Sequence, residues 1–518
     1  MKKYISIFAI LTMLFGCSED FLELSPQATL FASSYFQTED QVEEALIATY
    51  DVLGHQKGKD LSWSPYLTVT ESLGDDAYAG GQDAGDGSEL DELNTFNIST
   101  GNEIVQSIWK RNYFGIYRAN FTIEKAEALE STTDEFRNQI IGEAKFLRAY
   151  FYFELIRFFE NVTLSTKVDS PSEANRAQAE PSLVYDQIAT DLVEAIANLP
   201  ESQGANLGRA TKWAAKSLLG RVYLFENGVY GNGMTTADGQ SIDATFVLAE
   251  LEDVINNSGH ALLGNYEDVF LSSGEFSVEN VFEIVYDGAP VGGDWGTEEK
   301  IEGNLAAQQS GPRVTGSTIY YRGWSFAIPS HKLFLDMGSD PRRAVTILTA
   351  SDILAEPNTT LNTGAYQHTG YYNGKYTTRL ADRGPQGTPE LHNTTNYRAI
   401  RFSDVLLMAA EIGQNVAYIN TVRDRVGLAP IAAYSDDALF QERRMELSME
   451  GLRYFDLIRR GLSVAGQELT VNGIIGPDYT GNDQLYNVTF DPSARGFLPI
   501  PQTEIDISNG VLIQNEGY

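Results

Sequence analysis

Cysteine is nearly absent from the 518 residues: Cys17 stands alone, so no internal disulfide can form. Histidine is almost as scarce, and His55, His260, His331, His368 and His392 show no metal-ligand spacing. Positive charge is short too, with 37 Lys and Arg against 71 Asp and Glu and a formal net charge of −34. That field repels nucleic acid and anionic lipid headgroups, and it suits a saline setting where salt screens self-repulsion. Beyond the first residues no apolar run approaches membrane-spanning length. There is no Gly-x-Ser-x-Gly elbow and no glycine loop opening a helix to cradle phosphate, so neither a serine hydrolase nor a nucleotide cofactor is implied. A glycosidase needs only two carboxylates at a set separation, and 71 acids leave that open.

What the chain does contain begins with an address. Lys2 and Lys3 precede an apolar run over residues 5–15 that ends in Leu14-Phe15-Gly16-Cys17. The run is too short to span a bilayer, and its flanks suit a secretory leader over residues 1–16. A lone thiol after a small residue at a leader's end looks like a lipobox, whose cysteine is acylated; a chance cysteine is the alternative. Acylation at Cys17 would tether a soluble body by buried methylenes alone. Residues 17–37 then form a lipidated tether, with Glu19 and Asp20 beside the anchor.

Helical periodicity dominates residues 38–259. Thr38 to Gln41 looks like a capping arrangement, and helices are expected over 102–130, 133–159, 181–199, 209–226 and 244–257. The end of the second is apolar on nearly every face, so it must be buried, with Arg148, Glu154 and Arg157 as core ion pairs. Short connections imply antiparallel hairpins of tetratricopeptide-like type. Residues 60–98 instead predict a long loop. From 260 to 398 the period mostly vanishes among glycines, which predicts an irregular inserted subdomain with one short helix near 330–337. Helices return over 402–425 and 438–460 in a C-terminal part, 399–518. The last ends in Arg459-Arg460-Gly461, cations at the negative helix end.

The tryptophans divide by context. Trp109 and Trp213 fall in helical patterns and are expected to pack. Trp63, Trp295 and Trp324 lie in the glycine-rich regions, where packing explains them less well. Indoles and phenols offer flat contact area at little rotamer cost, the requirement for stacking on a sugar's C–H face. The expected ligand surface is therefore Trp63, Trp295 and Trp324 with Tyr78, Tyr320 and Tyr321. Asp75, Asp76, Asp83, Asp294, Gln309 and Arg322 are its candidate polar partners. The acids between 75 and 92 could hold calcium but lack the EF-hand order, so solvated loop acids are expected and no metal is assigned. Cations near the aromatics are few (Lys300, Arg313 and Arg322), which favours a neutral polymer.

Six segments, in order along the chain, resemble the SusD/RagB family of surface glycan-binding lipoproteins. They begin at Cys17, Trp109, Glu143, Arg401, Glu450 and Phe497, the last completed by Gln514 to Tyr518. The resemblance implies a mostly α fold: a scaffold of four tetratricopeptide-like hairpins, with an irregular region building the ligand surface. It also implies a TonB-dependent outer-membrane transporter as partner, which the chain would cover as a hinged lid. The expected function is non-catalytic capture of an oligo- or polysaccharide, with a laminarin-type β-glucan as the ligand. Alternatives left open are a peptide ligand as in RagB-like members, an exported glycoside hydrolase, and a scaffold whose partners are only proteins.

Overall fold

The computed structural model describes residues 35–58, 61–170, 172–287, 301, 303–362, 364–384, 388–477 and 481–518. The leader, Cys17, the tether up to residue 34, Asp294 and Trp295 lie outside them.

Helix α1 (Glu39–Asp51) starts where the Thr38 hydroxyl accepts the Gln41 N–H at 3.4 Å. The region expected as loop holds three short elements: α2 (Tyr66–Leu73), β1 (Ala77–Gly80) and α3 (Ser88–Asn94). They left no period in the sequence for physical reasons. Every residue of α2 from Leu67 to Leu73 is buried, polar ones included, and β1 and α3 are too short to show one. Then come α4 (Glu103–Ala128) and α5 (Asp134–Phe159), capped by Asn102 and Thr133. After them follow α6 (Pro181–Asn198), α7 (Lys212–Val229) and α8 (Ala244–Asn257). Each of α4 to α8 packs against the next, which stacks the chain as hairpins; only the α4–α5 link is short, and the others, over 160–180, 199–211 and 230–243, are longer than the short connections expected.

The irregular stretch contributes β2 (Asn280–Ile284), α9 (Leu305–Ser310), β3 (Phe326–Pro329), α10 (His331–Met337), β4 (Ile347–Thr349), β5 (Tyr371–Asn373) and β6 (Tyr397–Arg401). Strands β1 and β3 pair antiparallel with Tyr78 opposite Ile328, β2 pairs with β6, and β4 with β5. The chain ends with α11 (Phe402–Gly413), α12 (Val416–Arg425), α13 (Asp436–Leu447), α14 (Arg453–Arg459), α15 (Leu462–Leu469), hairpin β7 (Val471–Pro477) and β8 (Asp483–Val488), and α16 (Gln502–Ile507). Helix α11 packs on α8 and extends the stack.

The two long C-terminal helices expected from the sequence are each divided. Gln414 adopts a left-handed conformation that closes α11, and the Asn415 side chain caps α12. Between α13 and α14, Met449 and Gly451 take positive φ, which turns the Gly451 N–H onto the buried carboxylate of Glu71 at 2.6 Å. Arg459 does not wait on the helix dipole: it pairs with Glu411 and Asp456.

One apolar cluster runs through the helical parts and takes Phe282, Tyr376 and Tyr397 from the irregular stretch. Within it α5 is buried all round over its last two turns, as its apolar faces require. Arg148 meets Asp191 through two hydrogen bonds, at 2.8 and 2.6 Å, and Arg157 pairs with Glu154 while its guanidinium lies 4.1 Å from the Phe455 ring. Trp109 and Trp213 are core residues, 4% and 3% exposed. The tail is pinned to α5: Leu498 N–H donates to Phe158 O at 2.7 Å, and Asn515 Nδ2 donates to Phe159 O at 2.7 Å.

A buried ionic frame joins the irregular stretch to the C-terminal helices. Arg401 contacts Glu279, Glu446 and Glu450 at 2.7, 3.0 and 2.7 Å, Arg342 reaches Glu442 and Glu446, and Lys375 holds Glu450 at 2.7 Å. Burial alone would raise the Glu446 carboxyl, but Arg425, Arg401 and Arg342 outweigh it and hold it well below the usual range. Burial pushes the Lys375 ammonium down to about 8.

Candidate binding cleft

Two loops and a short helix bring the aromatic site together. Trp63 sits just before α2, in a segment held by Ser62 N–H donating to Ser107 Oγ at 2.7 Å and Ser64 N–H donating to Gln56 O at 3.0 Å. Its indole packs on Ile301, Leu305 and Leu391, with the Lys57 ammonium 4.9 Å from the ring centre. Trp324 arrives from the strand leading into β3, its N–H donating to Gln308 O at 3.0 Å. Gly323 must lack a side chain there, because a Cβ would lie 2.2 Å from the Gly311 backbone. The two indoles meet with ring centres 5.3 Å apart and planes crossed at 75°.

They border a cleft of about 600 Å³, which Gln309, Arg313, Arg322, Phe326, Gln82 and Glu103 also line. Phe326 is cradled by the loop after β1. Gly81 and Gly87 both have positive φ, and a Cβ on either would lie 2.7 Å from the Phe326 ring. The same loop sets Asp86 where it accepts from Gln82 N–H at 2.8 Å and pairs with Arg313 at 3.2 Å. Burial lowers the Arg313 guanidinium's pKa. Helix α9 forms the floor: Gln309 is 3% exposed, and its Oε1 has no hydrogen-bond partner among the described residues. Ser325 and Ala327 flank Phe326 at φ 59° and 47°, a strained backbone of the kind that gathers at binding sites.

The expected site residues that the structure describes separate into four groups. The cleft brings together Trp63, Trp324, Arg322 and Gln309. Tyr78, Asp75 and Asp76 are buried away from it, which corrects their reading as surface contacts and solvated acids. Arg453 and Lys332 hold Asp75 at 2.7 Å each, Arg444 holds Asp76 at 2.8 Å, and the Tyr78 ring lies against Tyr486 at 5.2 Å. Burial would raise the Asp75 carboxyl, but Arg453, Arg444 and Lys332 keep it far below the normal range. Tyr320 packs with Val314, Ile353 and Tyr372, and the Tyr321 hydroxyl accepts from Asn393 at 2.9 Å, so both serve as loop anchors outside the cleft. Asp83 is exposed and accepts from Gly85 N–H at 2.9 Å within its own loop. Among the described residues no group of three or more His, Cys, Asp or Glu is placed to hold a metal.

Sequence reasoning passed over Gln82, Asp86, Glu89, Glu103, Phe326 and Glu390, and it named Arg313 only as a neighbouring cation. The pattern Gly80-Gly81 and Gly85-Asp86-Gly87 was the one available signal, since a glycine pair on each side of a short acidic loop marks a close backbone approach.

Stacked helical hairpins that carry an irregular region with an aromatic, polar-floored cleft make a mostly helical scaffold of tetratricopeptide-like type. Residues 278–518 match the SusD family, and residues 20–224 match a family described as starch-binding and associating with the outer membrane. The chain belongs to the SusD family. A laminarin-binding SusD-like protein of known structure superposes with a TM-score of 0.79 at 31% identity, covering 93% of this chain and 100% of that one. Surface glycan-binding protein A from Bacteroides thetaiotaomicron in complex with laminarihexaose gives 0.78 at 27% identity, with 92% and 99% covered. SusD-like protein P2 of Formosa agariphila is 27% identical over 100% of both chains.

Proposed function

We propose that the cleft captures a neutral, curved glucan of laminarin type and that the protein passes it uncleaved to a TonB-dependent outer-membrane transporter. The observation that carries this reading is the crossed indole pair, 5.3 Å apart at 75°, on a cleft of about 600 Å³. Two planes so inclined cannot both lie along a flat ribbon, and they suit a chain whose sugar faces turn from one residue to the next. Gln82, Gln309 and Arg322 supply hydrogen bonds to hydroxyls, the division of labour expected of a sugar site. Asp86, Glu89, Glu103 and Glu390 lie along the same cleft and disfavour a uronate or sulfated polymer. The likeness to a laminarin-binding protein and to a laminarihexaose complex supports the choice of glucan.

The transporter partnership rests on family membership. No helix among the described residues is long and apolar enough to cross a membrane, and attachment is assigned to an acyl group on Cys17 at the outer face of the outer membrane. Affinity electrophoresis through laminarin tests the ligand, and an assay for new reducing ends tests the absence of cleavage. The wild type should be retarded, W63A/W324A should run as in a blank gel, and no reducing ends should appear. Retention by alginate alone would sink the neutral reading, and new reducing ends would make the protein a hydrolase.

A further inference from the structure

A second cleft, of about 330 Å³, shares no lining residue with the first. It lies between the α6–α7 loop, the end of α8 and the start of β2. Its rim carries an aromatic ring in an unusual setting. Phe276 is 38% exposed and sits at φ 54°, where a bulky side chain is a genuine outlier. The buried carboxylate of Glu283 accepts the Phe276 N–H at 2.6 Å and holds the backbone in that state. The ring is more than a third exposed and reaches the Gly208 position of the α6–α7 loop across the cleft. Leu207 stands exposed on the same rim.

Val278 adds a further exposed apolar side chain, and polar groups fill in between. Ser202, Asn206, Ser258 and Asn280 line it with His260, whose imidazole pKa burial lowers and whose Nδ1 lies 2.9 Å from Val278 O. The charged groups lean acidic: Glu201 pairs with Lys212, Arg209 lies between Glu43 and Glu143, and the buried Glu283 carboxylate accepts from Asn396 Nδ2 at 2.9 Å and from the Phe276 N–H. Ser277 Oγ and Asn280 Oδ1, on two of the lining residues, are buried and have no partner among the described residues. An exposed aromatic ring with neutral hydroxyl and amide groups around it, in a cleft whose acidic excess disfavours an anionic ligand, is the chemistry that takes an uncharged sugar.

We propose that this cleft is a second carbohydrate site, taking one or two residues of a neutral glycan against Phe276. Two weak sites on one anchored body would hold a long polymer far better than a short oligomer, because the second contact is intramolecular. The inference shares its ligand class with the proposed function but not its residues.

Native mass spectrometry of the chain without its leader counts bound oligosaccharides, with laminarihexaose, maltohexaose, cellohexaose and mannohexaose as probes. The variant F276G removes the ring and relieves the strained φ, so its melting temperature should hold or rise. The expected result is two hexasaccharides on the wild type, one on F276G, one on W63A/W324A and none on the triple variant. Retention in a polymer gel should fall several-fold in F276G. A count of one that F276G keeps and W63A/W324A loses overturns the second site alone. A count of one with the opposite pattern upholds it and overturns the first. A count of zero for all four probes overturns both.

Discussion

The ionic frame around Arg401 and the cleft around Trp63 and Trp324 use similar residue types to opposite ends. In the frame, Arg401, Arg425 and Arg342 meet Glu279, Glu442 and Glu446 inside the protein, at contacts of 3.1 Å or less. In the cleft, Gln309 Oε1 and Arg313 Nε are buried and have no partner among the described residues, whereas the one such atom on the frame's arginines, Arg425 Nε, belongs to a guanidinium whose other nitrogens hold Glu279 and Glu446. A buried polar group left so costs about 1–3 kcal/mol, an expense that a ligand supplying the partner would remove. Where polar chemistry closes on itself it holds the fold, and where it is left open it prepares for something else.

The largest effect should come from breaking the frame. Glu446 serves three arginines, so E446A leaves buried positive charge without compensation and should cost about 3–5 kcal/mol. Urea denaturation reads this directly. The molecules that remain folded should bind glycan as tightly as wild type, and a specific loss of affinity would break the separation between the two regions.

Glu71 lies at the seam between them, on α2, eight residues after Trp63, with the Gly451 N–H on its Oε1 at 2.6 Å. Burial, reinforced by the charge of Asp76, pushes its carboxyl from 4.5 up to about 8. Between those values the folded state keeps a proton that the unfolded state has lost. Glu71 therefore contributes most below its unfolded pKa, and stability falls as pH rises toward 8, by up to about 1.4 kcal/mol per unit. E71Q carries no proton to lose, so its urea midpoint should decline less than that of the wild type between pH 5 and pH 8. Parallel curves would mean that Glu71 is ionised in the fold.

An aromatic pair of substitutions sharpens the contrast. W109A empties a core site and should cost about 3–5 kcal/mol of stability. W324A should cost far less, because its ring is half-buried at the cleft, yet should lower glucan affinity at least tenfold, about 1.4 kcal/mol. Calorimetric titration and thermal melts on both variants separate the two roles.

The contrast also explains what the sequence disclosed. The segments at Arg401 and Glu450 that carried the family resemblance are the frame: Arg401, Asp404, Glu450 and Asp456 are buried in ion pairs. Helices α4 to α8 were legible because long amphipathic elements repeat their signal over many turns. Elements α2, β1 and α3 were not, since they are short and buried without alternation. Trp63 and Trp324 stood out as indoles in glycine-rich context. Asp75 and Asp76 misled because their partners Arg444 and Arg453 come from more than three hundred residues away, a distance no local pattern spans. Phe326 and Arg313 were hidden for a related reason: each gains its place from the loop at Gly81 to Gly87.

The smallest expected effect probes the open polar chemistry itself. Gln309 is nearly enclosed, yet its Oε1 meets no donor among the described residues. Replacing it with leucine keeps about the same volume and removes the orphaned amide, so the free protein should gain up to about 1 kcal/mol. The same change deprives a bound hydroxyl of its acceptor, so glucan affinity should fall about three- to tenfold, within the net worth of one hydrogen bond. Stability and affinity must therefore move in opposite directions in Q309L, as melts and titrations on one preparation can show. A loss of both would place Gln309 in the frame's category, a structural group whose partner lies inside the fold. A gain in stability with affinity unchanged would move the ligand away from α9 and leave the indoles to hold it alone.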